Sequence, residues 1–154
     1  MDAPALTHAA TDIIRGRVVS SRSAWTDDHR RLVTFVDVDV LENWKGHAGD
    51  KLTLVQPGGE RDGFGQSVAG VAPLGVGEEL VLFLERQGPL FRVVGLSQGV
   101  YRVESAPSGG AARAVPVVVE GLHLVPPAGR MPGARRALPL EELRGLVGRE
   151  VQRE

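Results

Sequence analysis

Between Arg31 and Gly59 the chain alternates apolar and polar positions with period two. Leu32, Thr34, Val36, Val38 and Val40 share one parity, and Val33, Phe35, Asp37, Asp39 and Leu41 share the other. Side chains of a strand point alternately to opposite faces, so the first set predicts a core face and the second a largely solvated one. A helix would instead repeat its apolar positions at i, i+3, i+4 and i+7, which this β-branched run does not. On either side of this strand the same period recurs. Ile13 to Arg22 sets Ile14, Gly16 and Val18 against Arg15 and Arg17, and Lys51–Gln56 places Leu52 and Leu54 on one face. Ser23–Arg30, with Trp25 near its start, reads as a polar connection, and Asn43 to Asp50 is rich in turn residues. These segments predict a three-stranded antiparallel meander.

Further along, Pro57–Gly65 is so dense in glycine and proline that it reads as a long surface loop. Gln66–Val71 predicts a short strand and Pro73–Gly77 a turn. Glu79–Glu85, apolar at both parities, predicts a central strand, with Pro89–Gly95 as its hairpin partner. Val100–Glu104 is another short strand, Ser105–Ala112 is flexible by composition, and Ala114–Val119 with Leu122–Val125 suggests a hairpin around Glu120-Gly121. Pro126–Ala134 then breaks regular structure. A closing helix is expected from Pro139, with Glu141 and Glu142 in its first turn and Leu140, Leu143, Leu146, Val147 and Val151 along one side. Ala5–Thr11, after Pro4, suggests one or two helical turns at the beginning. The organisation expected is a single domain: a short segment 1–12, a β-barrel 13–104, a flexible loop and hairpin 105–138, and a helix 139–154 packed on the barrel.

Composition sharpens the class. A chain of 154 residues with 42% hydrophobic and 24% charged residues buries a core of its own, and Gly 20 with Pro 10 suits short strands joined by turns. The net charge of -1 lacks the basic stripe of a nucleic-acid binder. Cysteine is absent, which excludes disulfides, thiol nucleophiles and thiolate metal sites. No apolar run reaches the roughly twenty residues of a membrane-spanning helix. The first residues carry neither the basic nor the apolar region of a signal peptide. Two locations fit: periplasmic or secreted, for a mature exported chain with an added Met1, or cytoplasmic, if Met1 is native.

Candidate chemistry is sparse. His8, His29, His47 and His123 are far apart, without the short-range spacing of most zinc sites, although His29 and His47 flank the central strand. Asp37 and Asp39 fall on one strand face roughly 7 Å apart, a spacing open to acid–base work only if burial raises one of them. No serine lies in Gly-x-Ser-x-Gly, and no Gly-Lys-Ser/Thr follows the glycines of Gln56–Gly65. These features predict a protein that is not an enzyme and uses no cofactor. What remains is surface. Trp25, Trp44, Phe64 and Tyr101 sit in or beside expected loops or strand ends, and with Gly58, Gly59 and Arg61 of the glycine-rich loop they form the expected binding set. Trp44 and Tyr101 have a competing role as plugs for the ends of the barrel.

Several motifs occur in order: Asp12-Ile-Ile-Arg-Gly-Arg-Val-Val-Ser-Ser, the Trp25 segment, Glu42-Asn-Trp-Lys-Gly, Leu54-Val-Gln-Pro-Gly-Gly, Gly77-Glu-Glu-Leu-Val-Leu-Phe-Leu and Val94-Gly-Leu-Ser-Gln-Gly-Val-Tyr-Arg-Val. Over roughly residues 10–104 the chain resembles exported bacterial proteins of unassigned function whose small barrels look like those of netrin-like domains and tissue inhibitors of metalloproteinases. The resemblance implies an all-β, OB-like Greek-key barrel of five or six main strands, with an extra hairpin and a C-terminal helix. Those inhibitors chelate the catalytic zinc of their targets through an amino-terminal cysteine, a mechanism that a chain without cysteine does not share. The function expected is a non-enzymatic, extracytoplasmic protein-binding module that uses loops at one end of the barrel. A peptidase inhibitor acting by loop insertion is the first alternative. A metal-dependent or carboxylate-based hydrolase, which needs the histidines and aspartates to converge, is the second.

Overall fold

The computed structural model describes residues 1–105, 109–119 and 136–154. Helix α1 (Ala3–Ala9) opens the chain, capped by the Asp2 carboxylate, which accepts from the Ala5 N–H at 3.0 Å, with Pro4 in its first turn. Strands β1 (Asp12–Trp25) and β2 (Leu32–Lys45) follow as a long antiparallel ribbon, in register from Ile13 opposite Lys45 to Trp25 opposite Leu32. The expected polar connection begins later than the composition suggested, because Ser23–Trp25 continue β1.

The ribbon must curve, and its residues supply the means. Register shifts between Ile13/Ile14, Arg15/Gly16 and Val18/Ser20 insert bulges, which bend and twist a strand. At Gly16 a Cβ would lie 2.6 Å from Val38 Cγ1 and 2.9 Å from the Asp39 carbonyl, so the crossing of the two strands tolerates no side chain there.

Strand β3 (Lys51–Pro57) continues the meander, antiparallel to β2. The glycine-rich stretch is not an irregular loop. It forms β4 (Gly59–Arg61) and β5 (Phe64–Gln66), a separate two-stranded hairpin. After Gln66 the chain runs without a strand to Glu79, so the short strand expected at Gln66–Val71 is absent. The glycine-rich segment uses its pairing one step earlier. Strands β6 (Glu79–Gln87) and β7 (Leu90–Val93) form the expected hairpin. β3 meets β7 in parallel, and β6 returns to β1, antiparallel from Asp12/Leu84 to Arg17/Glu79. The order β1-β2-β3-β7-β6 thus comes back to β1 as a partly closed ring. From β6 the sheet continues outward through β8 (Val100–Glu104), β9 (Arg113–Pro116) and β10 (Leu138–Pro139).

The described partners of β9 are β8 and β10. The expected partner Leu122–Val125, the breaker Pro126–Ala134 and His123 lie outside the described residues. Helix α2 (Leu140–Gln152) starts one residue later than expected, because Pro139 still pairs with Arg113 in the sheet.

Two cores flank β6, which explains why its sequence is apolar at both parities. Leu80, Leu82 and Leu84 face the inside of the ring with Ile14, Val18, Val36, Val38, Leu52, Leu54 and Phe91. Val81 and Phe83 face outward against Ile13, Tyr101, Leu6 of α1, and Leu140, Leu143 and Val147 of α2. Fully burying such side chains is worth about 1.5–3 kcal/mol each, so the second core accounts for α2 docking on the sheet. The result is a mostly β molecule with a large mixed sheet and a C-terminal helix.

Candidate functional site

Past Val18 strand β1 overhangs β6, while β2 stays paired with β3 as far as Val33 opposite Pro57. This end of the ribbon, with Leu32 and Thr34 on its inner parity, would expose apolar surface. The β4–β5 hairpin lies against it and leaves Leu32 1% exposed.

Side chains and backbone stitch the hairpin in place. The Gly58 N–H donates to the Leu32 carbonyl at 2.8 Å, and Thr34 Oγ1 donates to the Gly58 carbonyl at 2.8 Å. Gln66 works as a clamp: its Oε1 accepts from the Leu32 N–H at 2.6 Å and its Nε2 donates to the Arg30 carbonyl at 3.1 Å. The Glu60 N–H reaches Ser23 Oγ at 3.2 Å, and Arg61 Nη1 reaches the Ser23 carbonyl at 2.8 Å. Gly59, at φ +146, lets the chain pass this close, because a Cβ would collide with Ser23 Oγ and come within 2.6 Å of Thr34 Oγ1. At the hairpin tip Asp62 and Gly63 adopt φ 55 and φ 80. Both are positive, as a two-residue type I′ turn requires.

This scaffold displays an aromatic ledge. Phe64 is 63% exposed, and its ring stands edge-on to Trp25 with centroids 5.9 Å apart. Trp25 is fixed in turn by its Nε1–H, which donates to Asp62 Oδ2 at 3.1 Å, and His29 lies beside it at 6.5 Å between ring centroids. The connection 26–31 is ordered by Asp28. Its carboxylate accepts from Thr26 Oγ1 at 2.5 Å and from the Arg30 N–H at 3.0 Å, and these bonds hold it below the usual aspartate range.

The expected binding set divides. Trp25, Gly58, Gly59, Arg61 and Phe64 converge at this end. Trp44 does not join them: it lies next to the Ile13–Lys45 end of the ribbon, about 40 Å of strand away. There it packs on the second core, with the Arg144 guanidinium of α2 5.8 Å above its ring. Tyr101 is 2% exposed and packs against Phe83 with ring centroids 5.9 Å apart, which leaves it no access to a partner.

No family model matches the chain, and no curated protein or solved structure does.

The acid–base and metal alternatives each need groups that converge. Among the described residues no three His, Asp or Glu side chains converge as a metal site. His8 instead meets Glu150 at 2.9 Å and Glu154 at 3.2 Å, joining α1 to α2. Asp37 accepts from Thr53 at 2.6 Å, Ser20 at 2.7 Å and Arg22 at 2.9 Å. The Thr53 and Ser20 bonds, helped by Arg22 and only partly opposed by burial, hold its carboxyl below the ordinary value. That is the direction opposite to the one a general acid needs. Asp37 ties three strands together.

Asp62 and Gln66 belong to the ledge without having been singled out from the sequence, and His29, weighed there only as a metal ligand, joins them. The signal for Asp62 was the Asp-Gly pair between Arg61 and Phe64, a strong short-range hairpin mark. His29 and Gln66 carry no comparable signal, since their partners are set by the tertiary crossing.

Proposed function

We propose that the protein is a non-enzymatic binding module that captures a protein partner through the Trp25–Phe64 ledge, outside the cytoplasm. The observation that carries this reading is an exposed phenyl ring held edge-on to a hydrogen-bonded Trp on a stitched hairpin. Aromatic side chains presented on a pre-ordered support lose little conformational freedom on binding, which is how interface anchors gain affinity. The ring order β1-β2-β3-β7-β6, with β3 and β7 parallel, favours reading the framework as an OB-like Greek-key barrel.

Affinity capture from envelope and secreted fractions of the source organism, with Phe64→Ala and Trp25→Ala as controls, tests the proposal. A partner anchored here should lose about 30-fold in affinity in Phe64→Ala, the effect of a hot spot of about 2 kcal/mol. A partner held equally by both variants would refute the ledge.

A second reading uses the same hairpin. Its turn, with two positive-φ residues and a stitched base, has the fixed conformation required of an inserting inhibitory loop. Dose-dependent inhibition within a panel of secreted peptidases, lost in Phe64→Ala, would select this version over simple capture.

A further inference from the structure

Strands β3 and β7 are joined by one bridge, Leu54 opposite Phe91. Beyond it the two strands part, and the seam opens into a groove of about 200 Å³ whose walls include Val55, Pro57, Val71, Val93 and Leu96. Its floor is closed from the core by Gln56, which turns inward and donates through Nε2 to the Ala72 carbonyl at 3.0 Å.

Leu96 marks this groove as more than a packing fault. It stands at φ 61, directly after Gly95 at φ 63, and its side chain remains 40% exposed. Two successive positive-φ positions call for Gly, Asn or Asp. Gly95 obeys that rule and Leu96 does not. A bulky residue kept in a sparsely populated backbone region, and lining a cavity, points to a ligand contact.

We infer that the groove receives one large apolar side chain, of leucine or phenylalanine size, from an extended segment of the bound partner. The identification of the occupant as part of a protein rests on the binding function proposed above. Volume limits the occupant: a cavity of about 150 Å³ lined by apolar residues accommodates benzene, whereas sites for whole small molecules usually span about 300–1,000 Å³. Rim chemistry points the same way. Glu85 and Arg92 are cross-strand neighbours beside the apolar walls, and neither forms an ion pair among the described residues. A carboxylate acceptor and a guanidinium donor side by side match the N–H and C=O on either side of an inserted side chain. Pro57, at one wall, leads directly into Gly58 and the stitched hairpin, so groove and ledge flank the same turn of chain.

The test is a titration of methyl-labelled protein with N-acetyl-phenylalanine methylamide, with the glycine analogue as control. Saturable shifts at the methyl groups of Val55, Val71, Val93 and Leu96, in the low-millimolar range and absent with the glycine analogue, are expected. Val71→Trp, which fills the groove, should abolish the remaining shifts. Leu96→Gly, which suits the backbone conformation and removes a wall, should weaken binding at least tenfold. Phe64→Ala should leave the titration unchanged, so the result stands apart from the fate of the ledge in partner capture. Absence of saturable shifts, equal shifts from the glycine analogue, persistence in Val71→Trp or loss in Phe64→Ala would each overturn the inference.

Discussion

Replacing Gln66 by Met keeps the length of the side chain and removes both arms of the clamp that holds the hairpin. The Leu32 N–H, now 2.6 Å from Gln66 Oε1, would lose its acceptor in a residue that is 1% exposed. Leaving a buried donor unpaired costs about 1–3 kcal/mol. The Arg30 carbonyl, bonded by Nε2 at 3.1 Å, belongs to an exposed residue and regains water, so it adds little. A loss near 2 kcal/mol follows. For a chain of this size each kcal/mol moves Tm by roughly 2–4 °C, so scanning calorimetry should show a fall of about 4–8 °C. Hydrogen exchange should quicken at the Leu32 amide in parallel. Gln66→Glu separates the two arms: its carboxylate still accepts from Leu32 but cannot donate to Arg30, and its loss should be the smaller. A Tm within about 1 °C of the wild type in Gln66→Met, with Leu32 still protected, would refute the clamp as the hairpin's anchor.

Gly59→Ala should be more severe. It combines overpacking against Ser23 and Thr34 with a strained φ of +146, at about 2–4 kcal/mol together, read as a fall in the urea midpoint and a loss of the Trp25 fluorescence environment. Acid sensitivity should trace in part to Asp37. Hydrogen bonds from Thr53 and Ser20, with Arg22, lower its folded pKa below the unfolded value. Its contribution is therefore present above the ordinary aspartate range, about 3.9, and is lost as pH falls through the folded value. Urea midpoints measured between about pH 5 and pH 2 should fall less steeply in Asp37→Asn than in the wild type, and equal slopes would remove Asp37 from the account.

The strands were legible where one face of a segment meets the core. Leu32 to Val40 alternates because that ribbon has an inside and an outside, and Glu79–Glu85 is apolar throughout because cores lie on both sides of β6. The hairpin was obscured by its own glycines. Gly58 and Gly59 read as breakers, whereas Gly59 permits the close crossing over Ser23 and Thr34 and Gly58 the close approach of the Gln66 carbonyl, and the Asp62-Gly63 turn between them and Phe64 carried the usable signal. Trp44 and Tyr101 sit apart from the ledge for a different reason. Composition marks an aromatic near a strand end, but only the register decides which end, and the pairing of Ile13 with Lys45 sends Trp44 toward α2. Within a strand as short as Val100–Glu104 parity alone did not show that Tyr101 faces the second core.

The two ends of the β1–β2 ribbon meet one physical problem with different chemistry, and the difference bears on the proposed binding surface. At the Lys45 end the surface is covered by helices: Trp44 packs against the second core, Lys45 Nζ bonds the Thr7 carbonyl at 2.9 Å, and Glu42 is held between Arg15 and Arg144. Apolar contact and ion pairs together supply the closure there, and the Trp44 ring is half-buried against the second core. At the Trp25 end closure comes from hydrogen bonds between side chains and backbone, which need no inward aromatic, and Leu32 is already covered. A hairpin serving only as a cover would gain stability by turning Phe64 inward, since burial of a phenyl ring is worth about 1.5–3 kcal/mol. Instead the molecule leaves that ring 63% exposed beside a Trp whose own polar atom is tied down. A single exposed apolar side chain would carry no weight. Two adjoining aromatic rings on a fixed support form a patch, and that patch is what the proposed binding reading rests on.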